Sequence, residues 1–150
     1  MKFLIQRVKS ASVEIDSKIF SQINKGYLVL VGINDADTKE MADKMIQKLV
    51  GLRIFEDENG KTNLSIKDVD GDMLIVSQFT LYADCKKGNR PSFIKAGNPE
   101  YANSMYQYIL EKCSQLYGKQ IYSGQFGADM KVSLINDGPF TIMLDSAEIF

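Results

Sequence analysis

The pentapeptide Ser77-Gln78-Phe79-Thr80-Leu81 sets two hydroxyls and a primary amide where the apolar residues of a strand-like segment, Asp72 to Phe79, give way to polar ones just before a loop. Strand ends next to loops are where a rigid scaffold presents functional groups, so the segment is a candidate site. A strand with an exposed polar face accounts for the same residues. The second candidate is Gly138-Pro139 within Asn136-Asp137-Gly138-Pro139-Phe140-Thr141. Read alone it is a hairpin turn, with proline at a position that turns favour. The chain contains no histidine. Ser-His-Asp and Cys-His nucleophile systems are therefore excluded within one chain, as are histidine-containing metal centres. What remains is carboxylates, hydroxyls, lysines, backbone amides or a group carried by the substrate. The two cysteines, Cys85 and Cys113, lack CxxC spacing and read as free thiols. No cofactor and no metal is expected.

These groups must be carried by a scaffold of 150 residues, 45% hydrophobic and 25% charged, which is the size and balance of one globular domain spanning 1–150. No repeat or linker divides it. The apolar run Tyr27-Leu28-Val29-Leu30-Val31 is far shorter than the ~20 residues that cross a bilayer, and Gln6, Arg7 and Lys9 interrupt any secretory signal, so a cytoplasmic protein without membrane contact is expected. Met1 to Asp16 suits two strands, and Gly26 to Ile33 suits a buried one. Asp37 with Glu40 predicts a capped helix carrying Met41, Met45, Leu49 and Leu52. Arg53 to Glu56 and Asp72 to Phe79 read as further strands, with turn signals at Asn59-Gly60 and Asp70-Gly71. Asn98 and Pro99 open a second helix with Ala102, Met105, Ile109 and Leu116 on one face, stopped by Gly118. Gln120 to Phe126, Lys131 to Ile135 and Phe140 to Leu144 complete the strands. The fold class is α+β, a single domain with a curved, barrel-like, largely antiparallel sheet and two main helices.

Four segments in order and spacing resemble the D-aminoacyl-tRNA deacylase family along the whole length: Met1-Lys2-Phe3-Leu4-Ile5-Gln6-Arg7-Val8, Ser77 to Leu81, Lys86-Lys87-Gly88-Asn89-Arg90-Pro91-Ser92-Phe93, and Asn136 to Thr141. No motif position departs from the family pattern. The resemblance implies hydrolysis of the ester of D-aminoacyl-tRNA, and of glycine mischarged on tRNA-Ala. It also implies a homodimer in which a cis Gly138-Pro139 enters the partner's active site. There its carbonyls accept hydrogen bonds from the substrate amino group, and its bulk rejects L-residues.

By the same resemblance Ser77, Gln78, Phe79 and Thr80 form the catalytic segment. The Phe79 backbone N–H serves as oxyanion donor and a ribose hydroxyl of the terminal adenosine assists. Thr80 is either a nucleophile or a positioning residue. Arg7 supports the Gly-Pro loop or is a solvated strand-end arginine, and Phe126 and Met130 line an adenosine pocket or pack in the core. A net charge of −1 offers little general affinity for RNA, so the Lys86 to Lys95 loop is either the contact for the tRNA acceptor end or a solvated loop unrelated to RNA, and no DNA partner is expected. A non-catalytic RNA-binding module and an L-selective editing domain, like that of some threonyl-tRNA synthetases, are the alternatives.

Overall fold

The computed structural model describes Met1–Phe150. Its organising element is one long strand, β1 (Lys2–Ile15), which is paired along both edges. Its first half pairs antiparallel with β3 (Gly26–Gly32) and its second half with β2 (Lys18–Ile23), while its other edge carries β8 (Lys131–Asp145). Helix α1 (Lys39–Gly51) and the small hairpin β4 (Phe55–Glu56) and β5 (Thr62–Leu64) then lead to β6 (Asp72–Ser77), which lies parallel to β3. A 3-10 turn (Phe79–Tyr82), a loop and α2 (Pro99–Tyr117) lead to β7 (Tyr122–Ser123), parallel to β6. The Ser21 hydroxyl on β2 donates to the Ser123 carbonyl on β7 at 2.7 Å, which nearly closes the sheet into a barrel. A short helix, α3 (Ser146–Ile149), ends the chain.

The alternation of each strand divides the core between the two faces of the sheet. Tyr27, Val29 and Val31 of β3, with Met73 and Ile75 of β6, belong to the larger cluster, which includes Met45, Ile46 and Leu49 of α1 and Met105 and Ile109 of α2. Leu28, Leu74 and Val76 face the other way and fill the barrel with Val8, Val13 and Ile23. A fully buried residue such as Leu49 contributes roughly 1.5–3 kcal/mol.

The expected α+β barrel with two main helices is present, with several local differences. Met1 to Asp16 is one strand rather than two, because bulges let it bend while it stays paired on both sides. The sheet is mixed, since two helical crossovers make β3–β6 and β6–β7 parallel. The first helix is capped by Thr38, whose hydroxyl accepts from Met41 N–H. Asp37 instead binds the buried Met1 ammonium and the Asn34 N–H. The Arg53 to Glu56 and Gln120 to Phe126 strands shrink to two residues each. On α2 the buried stripe continues through Cys113 and Tyr117, leaving Leu116 half exposed. Asp70-Gly71 is a turn between the two sheets and not a hairpin. Both cysteines are free, and burial pushes the Cys113 thiol up to about 12.

Candidate functional site

Two places gather the residues singled out from the sequence. The first is a cleft of about 880 Å³, within the roughly 300–1,000 Å³ of small-molecule sites. Its floor is the C-terminal end of the parallel pair, with Val31, Val76 and Ser77. Ligands in such sheets characteristically bind beyond the carboxyl ends of the strands. At that point Gln78 N–H donates to Val31 O at 2.7 Å, ending the strand and turning Phe79 to Tyr82 into the 3-10 turn. Phe79 therefore leaves the strand, contrary to the expected span, and its N–H opens a helical turn, where amides lack an intrahelical acceptor.

The opposite wall is the segment after β7, Phe126 to Met130. Phe126 is half buried and packs on Tyr106, ring centroids 6.1 Å apart. Tyr106 is fixed from below, its hydroxyl donating to Ile75 O at 2.7 Å, and burial pushes its phenol up to about 12, so it packs the floor and stays protonated at neutral pH. Met130 reaches the cleft because Gly124 has no side chain: a Cβ there would lie 2.5 Å from the Met130 sulfur. The third wall joins Phe93, Ile94 and the first turn of α2, residues that the sequence pattern did not assign to a site because their helical and loop signals say nothing of which cavity they face. Thr80 stands beside the cleft, its Oγ1 accepting from Gln78 Nε2 at 2.6 Å.

The second place is an interruption in β8. Gln6 is opposite Thr141 and Val8 opposite Asn136, so the four residues Asp137 to Phe140 bulge outward across from the single residue Arg7. The expected turn between two strands is thus a bulge inside one strand. Its Gly138-Pro139 peptide is cis, and Gly138 has φ 151°, where a side chain would be strained and a Cβ would lie 2.8 Å from Phe140 N. Asn136 ties the bulge internally, accepting from Phe140 N–H at 2.6 Å and donating to Thr141 Oγ1 at 3.0 Å.

Arg7 fills the space beneath the bulge. It is only 7% exposed, donates from Nε to Asp137 O at 2.8 Å and from Nη1 to Ile54 O at 2.6 Å, and lies 4.6 Å from the centre of the Phe140 ring. The solvated-arginine alternative is overturned by this burial. Buried carbonyls and an aromatic face hold the guanidinium without a carboxylate. Gly138 and Pro139 themselves are exposed, and neither they nor Arg7 lines the cleft that holds Ser77, Gln78, Phe79, Phe126 and Met130.

A family model described as D-Tyr-tRNA(Tyr) deacylase matches residues 4–145. Among relatives, a D-aminoacyl-tRNA deacylase of Flavobacterium psychrophilum is 56% identical over 97% of both chains, and one of Clostridium novyi is 52% identical over the full length of both. A solved structure titled c-Myc DNA Unwinding Element Binding Protein superposes with a TM-score of 0.92 at 42% identity, covering 97% of this chain and 98% of its own. A probable eukaryotic D-amino acid tRNA deacylase shares the fold, with a TM-score of 0.85 at 17% identity, over 95% and 97% of the two chains.

Proposed function

This chain belongs to the D-Tyr-tRNA(Tyr) deacylase family and is an ester hydrolase of D-aminoacyl-tRNA that serves translational proofreading, and we propose that it selects its substrate by excluding L-residues with a backbone dipeptide donated across a dimer. The observation that carries this reading is the separation of the two places. The cleft holds Ser77 to Phe79 at the end of β6, while Gly138-Pro139, exposed and braced by Arg7, lies outside the lining of its own cleft. A two-fold dimer lets each bulge complete the other subunit's cleft. The fixed carbonyls then receive the substrate amino group, and the volume an L side chain needs is occupied. Glycine has no side chain to reject, so glycyl-tRNA is hydrolysed as well, including glycine mischarged on tRNA-Ala.

Catalysis needs little from side chains. The aminoacyl ester is already activated, the Phe79 N–H stabilises the developing oxyanion, and the vicinal ribose hydroxyl of the terminal adenosine positions or activates water. Phe126 and Met130 supply the apolar wall for that adenosine. Thr80 acts as a positioning residue: its oxygen accepts from the Gln78 amide, an arrangement that withdraws density from the hydroxyl rather than removing its proton. No helix is long and apolar enough to cross a membrane, and an enzyme of aminoacyl-tRNA works in the cytoplasm.

The test compares D-tyrosyl-, L-tyrosyl- and glycyl-tRNA with the same protein, together with D-tyrosyl-tRNA ending in 2′-deoxyadenosine. The D- and glycyl esters are hydrolysed, the L-ester survives, and the deoxy substrate is nearly inert. Equal rates on the two enantiomers refute the chiral exclusion, and full activity on the deoxy substrate refutes the assisting hydroxyl. Preferential hydrolysis of the L-ester would instead identify an L-selective editing domain.

A further inference from the structure

At the mouth of the cleft the chain exposes apolar surface where an ordinary loop would be polar. Ile94 is 92% exposed and Phe93 is 37% exposed. Phe93 meets Phe79 edge to face with ring centroids 5.1 Å apart, so the two rings form one continuous apolar ledge that borders the cleft and leads out of it.

The ledge is rigid. Asp84 and Ser92 exchange backbone hydrogen bonds of 2.7 and 2.9 Å at the base of the loop. Ala96 N–H donates to Phe93 O at 3.0 Å, the Asn34 amide donates to Lys95 O at 2.5 Å, and Gly97 N–H donates to Ile33 O at 2.8 Å, which pins the segment to the end of β3.

The same loop divides its cations into two kinds. Lys95 is paired with Asp84 at 3.0 Å, and the Lys86 backbone N–H, followed by that contact, holds the Asp84 carboxyl below its usual range. Lys86, Lys87 and Arg90 lie at the exposed tip and take part in no ion pair. Unpaired cations beside an apolar ledge make the combination that single-stranded nucleic acid requires: positive charge for phosphates and flat or branched apolar groups for base faces. The substrate of this family brings such a strand to the cleft, because a tRNA ends in unpaired nucleotides.

We infer that the Phe93–Ile94 ledge and the Lys86, Lys87 and Arg90 tip form a subsite for the unpaired nucleotides immediately preceding the terminal adenosine. The bases lie on the ledge and their phosphates face the loop tip, with no reading of base edges. This rests on the cleft being the adenosine site. The subsite gives an acidic protein of net charge −1 a local hold on RNA without general affinity, and it distinguishes the end of a tRNA from a free aminoacyl nucleoside.

Binding of the uncharged ribotrinucleotide CCA and of adenosine, followed by calorimetry or by NMR shifts, tests the subsite without depending on catalysis or chirality. CCA binds at least about tenfold more tightly than adenosine, the scale of one stacked base. Ile94→Ser and Phe93→Leu reduce CCA affinity several-fold more than adenosine affinity. Lys87→Gln and Arg90→Gln each flatten the dependence of log affinity on log salt by about 0.7, the value for one phosphate of a single strand, whereas Lys95→Gln leaves that slope alone.

With the D-aminoacyl esters of CCA and of adenosine, the same ledge variants lower kcat/KM on the trinucleotide by about tenfold more than on the nucleoside. Equal affinity for CCA and adenosine, or equal loss of both in the ledge variants, overturns the subsite. So does a dimer weakened by Ile94→Ser with CCA binding unchanged, which would assign the ledge to a second copy. CCA binding with the expected variant pattern but equal hydrolysis of D- and L-esters would leave the subsite standing and refute the chiral reading instead.

Discussion

The cleft and the β8 bulge hold their functional atoms in opposite ways. At the cleft, Ser77 and Gln78 end a strand buried between two others, and the backbone is aimed by sheet hydrogen bonds and by the packing of Ile75 and Val76. At the bulge, Gly138 and Pro139 leave an outer strand that pairs with β1 alone, and their position depends on two side chains, Arg7 from below and Asn136 from within. The cleft's geometry is shared among many contacts, so single side-chain changes there shift it little. The bulge's geometry is concentrated in few contacts, so each is indispensable.

The largest effect expected from this contrast is at Gly138. Gly138→Ala puts a Cβ 2.8 Å from Phe140 N at φ 151°, so the dipeptide must move. A displacement of about 1 Å costs on the order of 10²-fold in rate, and loss of that size or more is expected on both D- and glycyl-tRNA, with the melting temperature showing whether the fold survives. Retained activity on glycyl-tRNA would remove the dipeptide from the site.

Arg7→Met comes next. It keeps the apolar volume but leaves Asp137 O and Ile54 O without their donor, at about 2–3 kcal/mol, read as a lower urea midpoint at unchanged slope. Activity should fall more than unfolding at assay temperature explains. Unchanged stability would mean that Arg7 braces nothing.

Thr80→Val preserves shape and removes only the hydroxyl that accepts from Gln78, so kcat should fall less than about tenfold, against the ~10²–10³ for an essential donor. An inactive Thr80→Val enzyme restores threonine as nucleophile.

The smallest effect is the sharpest test of the division itself. Ala128→Trp fills the cleft from the segment after β7 and should inactivate its own cleft only. Mixed with Gly138→Ala and allowed to exchange subunits, it should restore about a quarter of wild-type activity, because half the dimers are mixed and each holds one intact site. No recovery would place cleft and dipeptide in one subunit, or show that dimers do not form.

Much of this was legible in the chain because local physics wrote it there. The α2 boundaries were set by Asn98 and Pro99 at one end and Gly118 at the other, and the structure keeps both. Strand β3 was visible as an uninterrupted apolar run, and Ser77 to Thr80 as a change from apolar to polar residues at a strand end. The family followed from four motifs in order. Where a distant partner intervened, the local signal misled. Asp37 reads as the helix cap, but the Met1 ammonium, 36 positions distant, draws it away and Thr38 caps the helix instead.

Tertiary structure alone decided the rest. Periodicity cannot tell parallel from antiparallel neighbours when a strand is apolar on both faces, so the β3–β6–β7 order depends on how α1 and α2 cross the sheet. Arg7 is in phase with the buried Phe3 and Ile5 on β1, so alternation puts it on the inward face, but spacing could not show the partners that hold a guanidinium there, 47 and 130 positions away, at Ile54 and Asp137. The sequence by itself determined the residue types and the strand ends at which they appear. That Ser77 to Phe79, Phe126 and Met130 share a cleft is set by the parallel pairing of β3, β6 and β7, and that Gly138-Pro139 lies outside it is set by the bulge of β8 opposite Arg7, because hydrogen bonds and packing between distant segments leave no periodic trace along the chain.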